Sequence, residues 1–167
     1  MKLAEFNQHD LSEAELCLQH CVNIPSWITQ ISQARPFSSH QALLAFAKNQ
    51  TDSWSWQEIK AALDTHPRIG EKKAAKDLSN QEEAFSNQEQ ANVQLSASTE
   101  QQLLQGNIAY EQKFGYIFLI KAAGLTAEQI LEQLQQRLNH SAEQEQTIVK
   151  QNLAGIALLR LSQAVTE

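Results

Sequence analysis

The sequence predicts an all-α protein, a single compact, bundle-like domain of about eight helices over residues 1–167. The first observation is a repeated helix-start signal, a serine or threonine followed three residues later by glutamate or glutamine at the head of an apolar run. The pairs are Ser12/Glu15, Ser55/Glu58, Ser98/Gln101, Thr126/Gln129 and Ser141/Gln144. The second observation is that proline and glycine fall mostly between these runs, with no hairpin signal among them.

The first half of the chain contains four predicted helices. Their apolar residues recur at helical spacing, and Pro25, Pro36 and Pro67 fall between or after them. A proline lacks the N–H that a helix interior needs, and it disfavours the helical conformation of the residue before it. The predicted ranges are 12–23, 26–34, 39–49 and 54–64.

The second half contains four more predicted helices. Gly70 and Gly124 lie between helical runs, whereas Gly106 and Gly155 lie inside them. The many glutamines between residues 80 and 152 fall among leucines and alanines at helical spacing, which is typical of solvated helix faces. The predicted ranges are 80–93, 98–113, 126–138 and 142–164.

One segment, Phe114–Ile120, is ambiguous. Its sequence FGYIFLI is aromatic and β-branched enough for a strand, yet the chain offers no second strand to pair with it. We therefore expect a buried stretch that is either irregular or helical.

Composition limits the classes of partner. A chain of 167 residues with 42% hydrophobic content fits one soluble globular domain. The net charge of -6 argues against a nucleic-acid partner, because such proteins need a concentrated basic face. The basic stretch 68–76 is interrupted by Glu71 and is typical of a solvated loop. Neither a leader segment nor a membrane span is indicated, so we expect no membrane partner and a cytoplasmic protein.

Metal and cofactor motifs are missing from the sequence. Cys17 and Cys21 lie on one face of a predicted helix and are expected to be buried thiols, because a zinc site would need two further ligands. The histidines are scattered, and no phosphate-binding glycine loop or dinucleotide fingerprint occurs. We predict no metal and no cofactor, so any chemistry must use histidine, glutamate and arginine side chains.

His66 is the first candidate site residue. Because Pro67 follows it, His66 is displaced from the preceding helix into an extended conformation on a stiff corner. An imidazole titrates near neutrality and suits proton transfer or anion binding. From these two residues alone, an ordinary helix-ending turn is the favoured interpretation.

Arg160 is the second candidate. It follows Val149, Leu153 and Ile156 on one apolar helix face, where an unpaired charge is costly. Two interpretations remain open: a structural ion pair or a guanidinium that reaches the surface, and a residue that binds an anion.

A third candidate is the helix face formed by Ser86, Glu89, Gln90 and Val93. It places a hydroxyl, a carboxylate and an amide within one turn, beside an apolar contact. That set suits a polar heterocycle with several N–H and C=O groups, and it also suits a solvated face.

Taken in order, these residues resemble one known family. The matching pieces are Cys21, Trp27, Arg35-Pro36-Phe37, His66-Pro67, Ser86-x-x-Glu89-Gln90, Asn107-x-x-Tyr110-x-x-Lys113-Phe114-Gly115-Tyr116-x-Phe118-x-Ile120 and Arg160-Leu161. The set is similar to the OHCU decarboxylase family, whose members decarboxylate 2-oxo-4-hydroxy-4-carboxy-5-ureidoimidazoline (OHCU) during urate breakdown. The resemblance spans nearly the whole chain.

The resemblance implies a carboxy-lyase that is all-helical, cofactor-free and usually homodimeric, and that forms (S)-allantoin. It implies catalytic roles for His66, Glu89 and Arg160. It further implies substrate contacts from Pro67, Ser86, Gln90, Phe118, Leu119 and Ile120. The alternative is a non-catalytic helical interaction module, in which His66 is a turn residue and Arg160 belongs to a structural ion pair.

Overall fold

The computed structural model describes residues 1–70, 80–89 and 96–167. These parts of the chain form nine α-helices and a short 3-10 helix at Thr51–Ser53, and an isolated β-bridge pairs Lys2 with Thr166. The α-helices are α1 Leu3–Gln8, α2 Leu11–Cys21, α3 Pro25–Gln33, α4 His40–Gln50, α5 Trp56–Leu63, α6 Asn80–Glu89, α7 Ala97–Phe114, α8 Ala127–Arg137 and α9 Ala142–Ala164. The predicted all-α class is confirmed. Residues 90–93, predicted to continue α6, lie outside the described residues.

Three of the predicted helix starts are confirmed in atomic detail. At Ser55 the backbone N–H donates to Glu58 Oε2 at 3.1 Å, and the Glu58 N–H donates back to Ser55 Oγ at 3.1 Å. Thr126 and Ser141 form the same reciprocal pairs with the glutamines three residues later. Each pair satisfies two backbone donors that the first helical turn leaves without partners.

Two starts were predicted at the wrong residue, and one helix was missed. Asp10 rather than Ser12 caps α2, and Ser96 rather than Ser98 caps α7; each side chain accepts from the N–H three residues later. Helix α1 is only six residues long and begins after Lys2, so it has neither the cap residue nor the length of a periodic pattern.

One compact unit consists of Met1–Ala62 and Ala154–Glu167. Its core includes the fully buried Trp27, whose indole N–H donates to the Ala47 carbonyl at 2.9 Å and whose ring meets Trp54 edge-on. Arg35 uses the same Nη1 to donate to the Phe6 and His9 carbonyls, at 2.6 and 2.8 Å. Trp27 and Arg35 in the family pattern are therefore structural in this unit.

The two thiols also lie in this unit. Cys21 is buried as predicted, whereas Cys17 is only half-buried, and neither forms a disulfide. Burial raises the pKa of the Cys17 thiol, which keeps it protonated near neutral pH. Both are therefore packing residues.

The second compact unit is Leu63–Leu153, whose core lies between α7 and α8. Gly106, which interrupted a helical pattern in the sequence, faces α8 so closely that a Cβ there would lie 2.5 Å from Leu134 Cδ2. Gly115 ends α7 in the left-handed conformation, with φ of 81°. After it the chain is irregular over 117–122, as expected for the ambiguous segment. Within the described residues, no helix is long and apolar enough to cross a membrane.

Candidate active site

His66 lies on a tight turn directly after α5. Its backbone N–H donates to the Leu63 carbonyl at 3.1 Å, and its side chain is 5% exposed. Pro67 is also buried. The stiff corner expected from the His-Pro sequence is therefore present, and the imidazole lies in the protein rather than in solvent.

Helix α7 holds the residues that follow this corner. Asn107, which is 4% exposed, donates its amide N–H to the Ile69 carbonyl at 3.2 Å. Arg68 forms a two-pronged pair with Glu111, with Nε 2.9 Å from Oε2 and Nη2 2.7 Å from Oε1. The position of the turn is thus fixed by two side chains of α7, one turn apart.

The basic stretch around Arg68 was expected to be a solvated loop. Arg68 itself is instead partly buried and neutralised by Glu111, while residues 71–79 lie outside the described part of the chain. A charge that is already paired with a carboxylate attracts an anionic ligand less than a free one does.

Glu89 is the last residue of α6 and is half-buried. Ser86 belongs to the same helix, one turn earlier, which is the register that the sequence predicts. Gln90 lies outside the described residues. The predicted Ser-x-x-Glu-Gln element is therefore helical at least as far as its glutamate.

The predicted pocket wall at Phe118, Leu119 and Ile120 is buried, with side-chain exposures of 1%, 4% and 7%. The Phe118 ring packs edge-on against Tyr110, with centroids 5.3 Å apart. Because this stretch has no helical hydrogen-bond ladder, its backbone groups need partners elsewhere in the unit.

One such partner is Arg137, which the sequence reasoning missed. This last residue of α8 is 2% exposed, and its Nη1 donates to the Leu119 carbonyl at 2.7 Å. Its Nε donates to Glu145 Oε1 at 2.5 Å, and its guanidinium lies 4.5 Å from the centre of the Phe118 ring. The remaining nitrogen, Nη2, is buried without a hydrogen-bond partner among the described residues.

Glu145 is fully buried and has three polar side-chain partners. Besides Arg137, the Tyr110 hydroxyl donates to Oε1 at 2.6 Å, and His140 Nδ1 lies 3.1 Å from Oε2. Burial, followed by the hydrogen bond to Glu145, raises the pKa of Tyr110, so the phenol stays a donor at neutral pH. Lys113, a further member of the family pattern, donates to the Leu138 and His140 carbonyls after α8.

A signal for Arg137 was present in the sequence. It follows Ala127, Ile130 and Leu134 at steps of three, four and three, so it shares the apolar face of α8 just as Arg160 shares that of α9. Glu145 likewise lies four residues before Val149 on the apolar stripe of α9. A positive charge on the apolar face of α8 and a negative charge on that of α9 together predict a buried ion pair between Arg137 and Glu145.

Arg160 belongs to the other unit, Met1–Ala62 with Ala154–Glu167. It is 2% exposed, and its Nη1 lies 3.5 Å from the Cys21 carbonyl oxygen, to which it donates. The guanidinium therefore does not reach solvent, which rules out one of the structural interpretations. His66 and Glu89 lie in the Leu63–Leu153 unit, so the convergence of all three on one pocket stays a prediction.

A cavity of about 390 Å³ lies beside α7 and the turn that contains Arg68, Ile69 and Gly70. Its described lining residues are Arg68, Ile69, Gly70, Glu100, Leu103, Leu104, Asn107, Ile108 and Glu111. None of these lining residues was predicted to belong to the site. This cavity therefore gives no support to the predicted site residues. In the described parts of the chain, no cluster of three or more histidine, cysteine, aspartate or glutamate side chains has the arrangement of a metal site.

Comparison with known proteins decides the family. The OHCU decarboxylase family model matches residues 7–162. The chain belongs to the OHCU decarboxylase family. The matched range contains every residue that the sequence analysis assigned to the site, in both units.

Individual proteins are similar to this chain as well. The 2-oxo-4-hydroxy-4-carboxy-5-ureidoimidazoline decarboxylase of Haloferax volcanii is 26% identical over 138 residues, covering 82% of this chain and 80% of that protein. The uric acid degradation bifunctional protein TTL of Arabidopsis thaliana is 28% identical over 151 residues, covering 88% of this chain. This chain spans 46% of the length of that bifunctional relative.

A solved structure is similar as well. A crystal structure of OHCU decarboxylase in the presence of (S)-allantoin superimposes with a TM-score of 0.72 at 25% sequence identity. The match covers 86% of this chain and 92% of the other. It supports the helical fold of the OHCU decarboxylase family for this chain.

Proposed function

We propose that this chain catalyses the cofactor-free decarboxylation of OHCU to (S)-allantoin in urate breakdown. The observation that carries the proposal is the family match over residues 7–162, which includes His66, Glu89 and Arg160. The buried corner at His66-Pro67 adds support, because an acid–base imidazole is most effective where its position is fixed.

The substrate supplies its own electron sink. When the C–C bond to the carboxylate breaks, carbon dioxide leaves and the electron pair moves into the neighbouring ring C=N, toward the imine nitrogen. A proton is then added to one face of the neighbouring ring carbon, which bears the ureido group, and this sets the (S) configuration. The hydroxyl on the carbon that lost carbon dioxide gives up its proton and becomes a carbonyl. The protein therefore has to orient the carboxylate, stabilise the enolate-like intermediate and deliver one proton.

We assign these tasks to three side chains. His66 contacts the hydroxyl or carboxylate of the substrate as acid or base, and Glu89 accepts hydrogen bonds from ring or ureido N–H groups. Arg160 binds and neutralises oxygens, and its planar guanidinium suits two acceptors at once. We assign the local positive charge that attracts this anionic substrate to Arg160.

The remaining contacts come from residues near the catalytic groups. Pro67 shapes the corner beside His66, and we assign substrate contacts to the polar side chains of Ser86 and Gln90. The backbone of Phe118, Leu119 and Ile120 forms a wall whose N–H and C=O groups suit a polar heterocycle.

We also propose that residues 1–167 act as one catalytic domain and that the enzyme is a cytoplasmic homodimer. The family match over residues 7–162 supports a single catalytic domain. Sedimentation equilibrium on the purified protein tests the proposed dimer. A single species with the mass of one chain would contradict the dimer.

The activity is tested with freshly generated OHCU, followed by circular dichroism with and without the protein. We expect the dichroic signal of (S)-allantoin to appear faster than the uncatalysed decay, since uncatalysed protonation at both faces gives no net signal. His66→Asn is the matched control. Identical decay with and without the protein would instead favour the alternative, a non-catalytic helical module.

A further inference from the structure

The irregular stretch 117–122 is held by side chains from outside it. The Leu119 carbonyl accepts from Arg137 Nη1 at 2.7 Å, and the Lys121 N–H donates to Asn152 Oδ1 at 3.0 Å. Without a helical ladder, such bonds determine where the backbone groups of Phe118–Ile120 point.

Arg137 is itself held rigidly. Its Nε donates to the fully buried Glu145, and its guanidinium carbon lies 4.5 Å from the centre of the Phe118 ring. Glu145 is fixed in turn by the Tyr110 hydroxyl at 2.6 Å. One planar group thus ties α8, the start of α9 and the Leu119 carbonyl together with defined directions.

Stability alone gives a weak reason for this arrangement. Removing two charges from water costs several kcal/mol each, and well-packed apolar side chains of similar volume are often as stabilising as a buried ion pair. One guanidinium nitrogen, Nη2 of Arg137, even lacks a hydrogen-bond partner among the described residues. What an apolar pair does not provide is a directed N–H at the Leu119 carbonyl.

We infer that Arg137 is a positioning residue for the proposed reaction: through the Leu119 carbonyl it sets the backbone of the substrate-contacting stretch Phe118–Ile120. It acts through that backbone and does not touch the substrate. The inference rests on the proposed function, and it adds Arg137, with Glu145 as its anchor, to the residues that determine activity.

The test compares two changes in the same helix. Arg137→Lys keeps the charge beside Glu145 but loses the fork that reaches both Glu145 and Leu119. The control Ile130→Ala removes a fully buried side chain of α8 that makes neither contact. A double variant, Arg137→Met with Glu145→Gln, keeps the volume without an uncompensated charge, and it replaces Arg137→Lys if that protein does not fold.

We expect KM for OHCU to rise about tenfold in Arg137→Lys, with a smaller fall in kcat per folded molecule, because the wall is misplaced by a fraction of an ångström. Backbone amides of 118–122 should exchange with deuterium about tenfold faster than in wild type. Ile130→Ala should lower the melting temperature while both KM and the exchange of this stretch stay near wild type.

Wild-type KM and kcat in folded Arg137→Lys, with only a lowered melting temperature, would overturn the positioning role. An equal rise of KM in Ile130→Ala would also overturn it, since general loosening would then be the cause. Failure of the proposed function is recognised separately, because wild-type protein would then not accelerate OHCU decay at all.

Discussion

Tyr110→Phe isolates one hydrogen bond in the buried network. The hydroxyl donates to Glu145 Oε1 at 2.6 Å, and Tyr110 is completely buried. Phenylalanine retains the ring and its contacts with Phe114, Tyr116 and Phe118, whose centroids lie 4.6, 5.9 and 5.3 Å away. The change therefore keeps the ring packing and removes the donor to Glu145, together with the oxygen that acts on the Tyr116 hydroxyl.

The loss of stability expected for Tyr110→Phe depends on the charge of the acceptor, Glu145. A hydrogen bond to a charged group contributes about 1.5–3 kcal/mol, and Glu145 keeps Arg137 and His140, so we expect about 1.5–2 kcal/mol. For a chain of this size, about 1 kcal/mol shifts the melting temperature by about 2–4 °C, which gives a fall of about 3–8 °C.

The stabilisation by the Tyr110 hydroxyl should decrease at high pH. The folded pKa of Tyr110 is raised above its ordinary value of 10.0, so the stabilisation is fully present below pH 10. It is lost as the pH rises further, because the unfolded chain then ionises first. The difference in stability between wild type and Tyr110→Phe should therefore be constant near neutrality and shrink above pH 10.

Urea unfolding followed by far-UV circular dichroism measures this difference, with an unchanged denaturant slope as the check that only stability changed. A double-mutant cycle with Glu145→Gln isolates the interaction between the two side chains. A cost below about 0.5 kcal/mol, or a difference that grows above pH 10, would refute the reasoning.

Three further predictions concern the candidate site and one cap. His66→Asn should fold normally and lose activity about a hundredfold or more, because proton transfer is removed while size is kept; near-wild-type turnover would make His66 a turn residue. Arg160→Lys should lower turnover of the folded protein, since a lysine cannot present a planar fork; a lower melting temperature with unchanged turnover would contradict the assignment. The hydrogen bond from the Glu13 backbone N–H lowers the pKa of Asp10 below its ordinary value of 3.8. The Asp10 cap therefore stabilises the fold fully above pH 3.8, and this stabilisation is lost as the pH falls through the pKa of Asp10 in the folded protein. Asp10→Asn should therefore reduce the sensitivity of thermal melts to acid between neutral pH and pH 3, and an unchanged acid dependence would count against it.

Local signals predicted the helices well. The boxes at Ser55, Thr126 and Ser141 use groups only three residues apart, so nothing distant in the fold can displace them. The start of α2 moved to Asp10 because a second acceptor lies two residues before Ser12, and either side chain can cap a helix. Helix α1 is instead held by distant contacts, such as the Leu3 N–H on the Thr166 carbonyl, which no local pattern contains.

Site residues could be predicted where the residue type was unusual for the local sequence pattern. His66 was identified because a proline follows it, and Arg160 because a charge lies on an apolar stripe. Arg137 shows the same conflict, but its meaning depends on Glu145 and on the Leu119 carbonyl, which a bend in the chain and an irregular segment bring to it. Sequence spacing does not encode those partners.

The chain order of the first unit has a consequence for protein synthesis. Its two parts, Met1–Ala62 and Ala154–Glu167, are separated by the whole of the continuous Leu63–Leu153 unit. The ribosome therefore releases the early helices long before the residues that bind them, including Arg160 on the Cys21 carbonyl. The middle of the chain can form its own contacts before the first unit is complete. Until the last turns of α9 are synthesised, apolar side chains of the first helices lack their contacts with that helix.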